Sequence, residues 1–414
     1  MSSVLLSEPA RDPRVQAGTF NVLIVGGGSA GISVAARLIA AKVRSVAIVE
    51  PSTEHYYQPL WTLVGGGAVR PEESRRAESS LVPKGCTWIR DAVASFDPDA
   101  NRVMLASGGV VNYNYLVVCP GIQVDFDRVD GLTDVIGTNG VSSNYTYELA
   151  PKTFQMLDAV TGGTLLFTMP AGAIKCAGAP QKIMYLAADL MRKKKIKARV
   201  VFASASPAIF GVKAFQEPLM KVVRRYGIET LFNHNLVAVD GARKVAIFEK
   251  TDDPAKPRVE IPYAFMHVTP PQSAPDFVKH SPLAETTGPQ KGYVKIDPAT
   301  MRSTFYPDVF ALGDAGSSPN SKTGAAIRKQ APVVVENMLA AMHGSPLKAT
   351  YDGYASCPIV TGYGKLILAE FDYDGKPTPS IPIIDLKKER WSMFMLKRRF
   401  LPWMYWNLML RGRA

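Results

Sequence analysis

The chain has 414 residues, is 47% hydrophobic and carries a formal net charge of +12. That length suggests two or three domains with a large apolar core. Its four cysteines, Cys86, Cys119, Cys176 and Cys357, are too few and scattered for a disulfide scaffold, and no pair has metal-ligand spacing. Any disulfide is therefore expected to be catalytic. No apolar stretch of about 18 residues exists, so no spanning helix is expected.

Residues 1–19 read as an N-terminal extension. It lacks the basic-then-apolar pattern of a secretory signal, and Glu8 and Asp12 argue against a transit peptide.

A first nucleotide-binding part spans 20–150. The apolar run FNVLIV leads into Gly26-Gly27-Gly28-Ser29-Ala30-Gly31, a G-x-G-x-x-G, and then a helix from Ile32. A second apolar run, 46–49, ends in Glu50. This is a dinucleotide fingerprint: Gly26 for the tight turn, Gly28 for approach of the pyrophosphate, Gly31 for helix packing and Glu50 for a ribose hydroxyl. The segment from His55 to Gly67 suggests a loop folded over a ligand. Strands at 103–105, 110–111 and 115–118 form a meander leading to Cys119-Pro120-Gly121, a turn suited to returning to a flavin cofactor. Cys86 and Cys119 read as structural.

A second Rossmann-like part spans 151–290. Its first strand, 164–168, precedes MPAGAIKCAGAPQ and a helical pattern. The turn that would carry a second glycine fingerprint holds Cys176 instead, and the next strand ends in serines rather than an acid. Both marks of a nicotinamide site are absent together. Residues 236–239 and 245–248 read as a hairpin, and His267 as structural.

The first part resumes at 291–345. An apolar strand ends at Gly313-Asp314, followed by a helix from about Thr323 to Met342. In FAD enzymes such an Asp bonds the ribityl chain, and such a helix aims its positive end at the flavin. Residues 346–414 form a C-terminal redox-cysteine and membrane-binding region. Cys357 reads as lying on a loop before a strand at 365–371, the natural redox partner of Cys176. From Lys387 onward eight basic residues face one acid, interleaved with Trp391, Phe394, Phe400, Trp403, Tyr405 and Trp406. Aromatics mixed with Leu and Met favour a membrane interface over nucleic acid.

The fold class is thus α/β: two Rossmann-like dinucleotide-binding domains, glutathione reductase-like, plus a C-terminal amphipathic membrane-binding region. The stretches VGGGSAGISVAARL, AIVEPSTEHYYQPLWTLVGGG, KCAGAPQKIMYLA, HVTPPQSAPD, YDGYASCPIVTGY and PWMYWNLMLRG resemble the sulfide:quinone oxidoreductases, in particular their mitochondrial-type branch. The resemblance runs from about Phe20 to Arg411. It implies FAD, hydrogen sulfide as substrate, a quinone acceptor (ubiquinone or menaquinone) and peripheral attachment to a bacterial or mitochondrial inner membrane. Cys176 and Cys357 match the redox cysteines, and Ser29, Ala30, Glu50, Gln58, Val93, Asp314 and Lys322 match FAD-contacting positions.

Two departures stand out. Mitochondrial members continue past the Leu-Arg-Gly motif, so membrane binding here is expected to be weaker or to depend on a homo-oligomer. Neither Cys86 nor Cys119 matches the third functional cysteine of some bacterial members. The expected chemistry oxidises sulfide to a persulfide on the cysteine pair, with sulfite, glutathione or cyanide removing the sulfane sulfur. Cys357 is expected against the flavin and Cys176 as persulfide carrier, with Lys175 and Lys182 stabilising the nearer thiolate. Tyr363, Phe394 and residues near Trp403 are expected to line the quinone pocket. The alternatives are a type-II NADH:quinone oxidoreductase, a flavocytochrome-type sulfide dehydrogenase and a non-catalytic FAD-binding membrane scaffold.

Overall fold

The computed structural model describes residues 18–414, so the N-terminal extension lies almost wholly outside the described residues. The chain opens with strand β1 (Thr19–Val25), helix α1 (Ser29–Ala40) and strand β2 (Val46–Val49). β1 and β2 run parallel, Val22 opposite Val46 and Val25 opposite Val49. Their paired segments, Val22–Val25 and Val46–Val49, are unbroken buried apolar runs, as both faces of a parallel sheet are covered. Strand β3 (Cys86–Ile89) extends the sheet beside β2. Strands β4 (Val93–Asp97), β5 (Arg102–Leu105) and β6 (Val110–Val118) form a meander in which the strands expected at 110–111 and 115–118 are one and β4 is added; β6 also runs parallel to β1.

The segment from His55 is not the loop the sequence suggested. Glu54–Tyr56 is a strand paired with Arg75–Ala77, Gln58–Leu60 is a 3-10 turn, and Trp61–Gly65 is a short helix. Pro59 sits at the start of the turn, where a missing N–H costs nothing.

The second unit contains β7 (Val141–Ser142), β8 (Gly163–Met169), helix α2 (Ala179–Lys194), β9 (Ala198–Ser204), helix α3 (Lys213–Tyr226) and β10 (Glu229–Phe232). β11 (His234–Asp240) and β12 (Val245–Lys250) are the expected hairpin, joined by a third antiparallel strand, β13 (Arg258–Pro262). β14 (Phe265–His267) returns to the parallel sheet, ordered β7-β14-β8-β9-β10.

The chain then rejoins the first sheet. β15 (Val309–Ala311) pairs with the end of β6, and helix α4 (Gly324–Met342) follows, its Ala326 amide capped by the Thr323 hydroxyl. A two-stranded hairpin comes next, β16 (Ala355–Gly362) with β17 (Lys365–Phe371). Cys357 lies within β16, not on a loop. Pro358 is tolerated there because a two-stranded hairpin leaves each strand one free side, where proline's missing donor costs nothing. Helices α5 (Trp391–Met395) and α6 (Leu401–Asn407), bridged by a π-helical turn at Leu396–Phe400, close the chain. No helix among the described residues is long and apolar enough to cross a membrane.

Candidate active site

The fingerprint turn is built on close backbone approach. Gly26 has φ +103°, and a Cβ there would lie 2.5 Å from the Cys119 carbonyl oxygen; a Cβ on Gly31 would lie 1.9 Å from the Gly26 carbonyl oxygen. These two glycines shape the turn from behind. In front of it opens a cavity of about 590 Å³, lined by Gly28, Ser29, Ala30, Glu50, Gln58, Gly121, Asp314, Lys322 and Cys176. Val93 is buried on β4 and is not among the lining residues. Glu50 accepts from the Gly27 amide at 2.7 Å and the Ser52 amide at 2.8 Å, and burial pushes its carboxyl up.

A Cβ added at Gly28, Gly121 or Gly324 would enter open space. Gly28 and Gly324 open the first turns of α1 and α4, and both line the cavity. Bare backbone at two helix N-termini, joined by one cavity, fits a dinucleotide with anionic phosphates at one end and a planar ring at the other.

At the second Rossmann turn the backbone is held differently. Cys176 has φ +57°, unusual for a residue with a side chain. Its amide donates to the Lys322 carbonyl at 2.8 Å, and its carbonyl accepts from the Ala179 amide at 2.7 Å. The turn is thereby stitched to the segment after Asp314. Lys322 donates to the carbonyls of Asp314 (2.8 Å) and Gly316 (3.1 Å) and lies 4.0 Å from the Tyr293 ring centre.

The Cys176 and Cys357 sulfurs are 3.8 Å apart. Gly178 lets β16 close on the turn: a Cβ there would lie 3.2 Å from Ile359 and 3.6 Å from the Cys357 Cβ. Cys176 lines the cavity, whereas Cys357 lies fully buried behind it. Cys176, rather than Cys357, is thus the thiol on the cavity wall.

Electrostatics divide the pair. The Cys357 thiol and the Lys182 ammonium, 3.1 Å from the Cys176 sulfur, hold Cys176 well below the ordinary thiol range; Cys357 is pushed up by its bonded neighbour and by burial. Lys182 is almost fully buried in the first turn of α2. Lys397, from the π-helical turn, is also buried, and its ammonium donates to the Pro59 carbonyl at 2.9 Å. Burial and the charge of Lys182 bring Lys397 down to about 7. Burial lowers Lys175 to about 8.

Cys119 and His267, read from the sequence as structural, both line the cavity, whereas Cys86 does not. Burial pushes both Cys119 and Cys86 up, the latter to about 12. His267 is buried and lowered to about 3, its Nε2 accepting from the Asn144 amide at 3.0 Å.

The tail also packs against the fingerprint turn. The Tyr405 hydroxyl lies 2.7 Å from the Ser29 hydroxyl and 2.6 Å from His55 Nε2, while His55 Nδ1 lies 2.9 Å from Glu78. Leu396, Lys397, Leu401, Met404 and Tyr405 wall the cavity. Trp391, Phe400 and Trp403 are exposed, while Tyr405, Trp406 and Leu410 are buried. Residues near Trp403 were expected to line a pocket, and Leu401, Met404 and Tyr405 line this one; the bonds of Tyr405 to Ser29 and His55 had no sequence signal beyond that two-sided pattern. Tyr363 and Phe394 are not among the cavity-lining residues; the Tyr363 hydroxyl donates to the Gly66 carbonyl, turning it toward the Trp61–Gly65 helix.

Residues 20–331 match the pyridine nucleotide-disulphide oxidoreductase family. The mitochondrial sulfide:quinone oxidoreductase of Mus musculus is 42% identical, over 95% of this chain and 87% of the relative. That of Dictyostelium discoideum is 43% identical, over 95% and 86%. The crystal structure of the sulfide:quinone oxidoreductase from Aquifex aeolicus superposes with a TM-score of 0.80 at 21% identity, covering 96% of this chain and 92% of that one. By these similarities across nearly its whole length, the chain belongs to the sulfide:quinone oxidoreductases, flavin-dependent oxidoreductases of the pyridine nucleotide-disulphide family.

Proposed function

We propose that the protein binds FAD in this cavity and oxidises hydrogen sulfide at the Cys176/Cys357 pair, delivering two electrons to quinone. The observation that carries this reading is the thiol pair, 3.8 Å apart, at the turn where a nicotinamide fingerprint would otherwise stand. The names of the relatives support the substrates.

In the oxidised resting form the two sulfurs are bridged, directly or through one added sulfur. Hydrosulfide attacks on the Cys357 side; a new S–S bond makes a persulfide there, and the bond to Cys176 breaks, leaving Cys176 as thiolate. Charge decides which sulfur leaves. Cys176 has an ammonium at 3.1 Å, and Cys357 is the thiol pushed upward. Lys182 and Lys397 also draw the anionic substrate inward. An acceptor nucleophile such as sulfite, glutathione or cyanide removes the outer sulfur, and the bridge re-forms with release of an electron pair. When bound, the flavin takes that pair and passes it to quinone.

Ser29, Glu50 and Asp314 would hold the cofactor's phosphate, ribose and ribityl portions, with the Lys322 ammonium fixing the Asp314 loop. The basic, aromatic outer face of the tail would seat the protein on a membrane surface, at roughly 1 kcal/mol per basic residue near anionic lipid.

Mass spectrometry of alkylated protein after one equivalent of sulfide tests the assignment. The added sulfur should be found on Cys357. Its recovery on Cys176 alone would reverse the two roles, and its absence from both would refute the thiol mechanism.

A further inference from the structure

The β16–β17 hairpin carries a second set of groups that the sulfur chemistry does not use. In its register Ser356 faces Glu370, Cys357 faces Ala369 and Pro358 faces Leu368. Side chains alternate across a strand. Cys357 therefore projects from one face, toward Gly178 and Cys176. Ser356, Pro358, Leu368 and Glu370 project from the other, and all four line the cavity. The hairpin thus turns Cys357 toward the Cys176 turn and presents Ser356, Pro358, Leu368 and Glu370 to a chamber of the same cavity that Cys176 lines.

Glu370 is the acid of that chamber, and it is 3% exposed. Its carboxylate accepts from the hydroxyls of Tyr354 and Ser380 and from the Ser380 amide at 3.0 Å. The Tyr354 and Ser380 hydroxyls are 2.8 Å apart. Among the described residues no cation lies within 4.0 Å of the Glu370 carboxylate. The cations facing this cluster come from α4, Arg328 and Lys329, and the Lys329 ammonium lies 5.8 Å from the Tyr354 ring centre. A buried carboxylate without a cation is costly to keep. Tyr354 is 7% exposed and lines the chamber, while Ser380 is exposed at its rim. The three groups thus form a continuous hydrogen-bonded path from solvent to the cavity.

Resting on the proposed function, we infer that Tyr354 and Glu370 deliver a proton to quinone in this chamber, with Ser380 resupplying it from solvent. Quinone takes up two electrons, from the flavin, and two protons. The Tyr354 O–H bond breaks as a quinone O–H bond forms, and Tyr354 regains a proton through Glu370 and Ser380; the second proton comes from water. Burial and Glu370 push Tyr354 up to about 12, so it holds its proton until the quinone oxygen becomes basic.

Stopped-flow measurement of the two half-reactions on flavin-loaded protein tests this. In Tyr354→Phe and Glu370→Gln, bleaching by sulfide should stay within about twofold of wild type. Reoxidation by a short-chain quinone should slow at least ~10-fold, within the usual range for losing a proton-transfer group. Glu370→Asp should restore part of that rate, and Ser380→Ala, at the rim, should slow it by a smaller factor with an unchanged melting temperature. Calorimetric titration with a redox-inert quinone analogue should give a Kd within twofold of wild type in Tyr354→Phe. Wild-type reoxidation in both Tyr354→Phe and Glu370→Gln, or equal slowing of both half-reactions, would overturn the inference alone. Wild-type flavin left oxidised by sulfide would overturn the proposed function, and this inference with it.

Discussion

The two Rossmann turns share a scaffold and differ in what they present. Each follows a buried parallel strand and opens a helix, β1 into α1 and β8 into α2. The first turn is bare: Gly28 leaves open space where a phosphate can meet helix amides. The second is occupied by the Cys176 side chain and by backbone bonds to the Lys322 segment. A strand-turn-helix unit therefore fixes where a ligand can sit, and the turn residues decide whether the site holds a phosphate or performs thiol chemistry.

The largest effect should come from removing the thiols. Cys176→Ser or Cys357→Ser should lower sulfide-dependent quinone reduction by at least ~10³-fold, the scale for loss of a nucleophile, while the flavin spectrum stays unchanged. Full activity in either variant would erase the distinction between the turns. Gly28→Val should do the converse. Its side chain fills the space in front of α1, so the protein should purify without flavin while its thiols remain titratable. Normal flavin content would contradict the first turn's role.

A smaller effect belongs to Lys182. Its cation favours the deprotonated Cys176, so Lys182→Met should move the thiol's titration upward, back toward the ordinary thiol range. Ultraviolet thiolate absorbance would follow this directly, and flavin bleaching should slow by roughly 10- to 100-fold.

The smallest effect concerns Lys397 and runs through stability. Its folded-state value of about 7 lies below an unfolded value of about 10.4. Between those values the unfolded chain binds more protons than the folded one, so stability rises with pH across the window. Below about 7 the full penalty of burying the charge applies. In Lys397→Met that rise should flatten, and thermal unfolding of both proteins from pH 7 to 10 would show it. Parallel curves would mean that Lys397 carries no such penalty.

Much of this was legible in the sequence because the signals are local. The fingerprint, Glu50 at the end of β2, Asp314 after β15 and the capped start of α4 each depend on a few consecutive residues. The absence of a second fingerprint was equally local. Tertiary partners decided the rest. Cys357 read as a loop residue until β17 supplied a partner for the segment around it. Glu54–Tyr56 became a strand because Arg75–Ala77 lies beside it. β13, Arg-Val-Glu-Ile-Pro, does alternate, but its short run ends in a proline and went unread until β12 supplied a partner. Tyr405 looked like one more aromatic of a membrane tail, yet it bonds Ser29, 376 positions away. Which cysteine faces the cavity depends on strand alternation in β16, invisible while Cys357 was read as a loop residue.

The most direct test is anaerobic mixing of the flavin-loaded protein with sulfide while the flavin spectrum is recorded, with NADH in a parallel cell and a short-chain quinone added afterwards. The account predicts rapid bleaching by sulfide, none by NADH, and recovery on quinone. Bleaching by NADH alone would contradict it, because the second turn would then hold a nicotinamide cofactor and Cys176 and Cys357 would be ordinary core thiols.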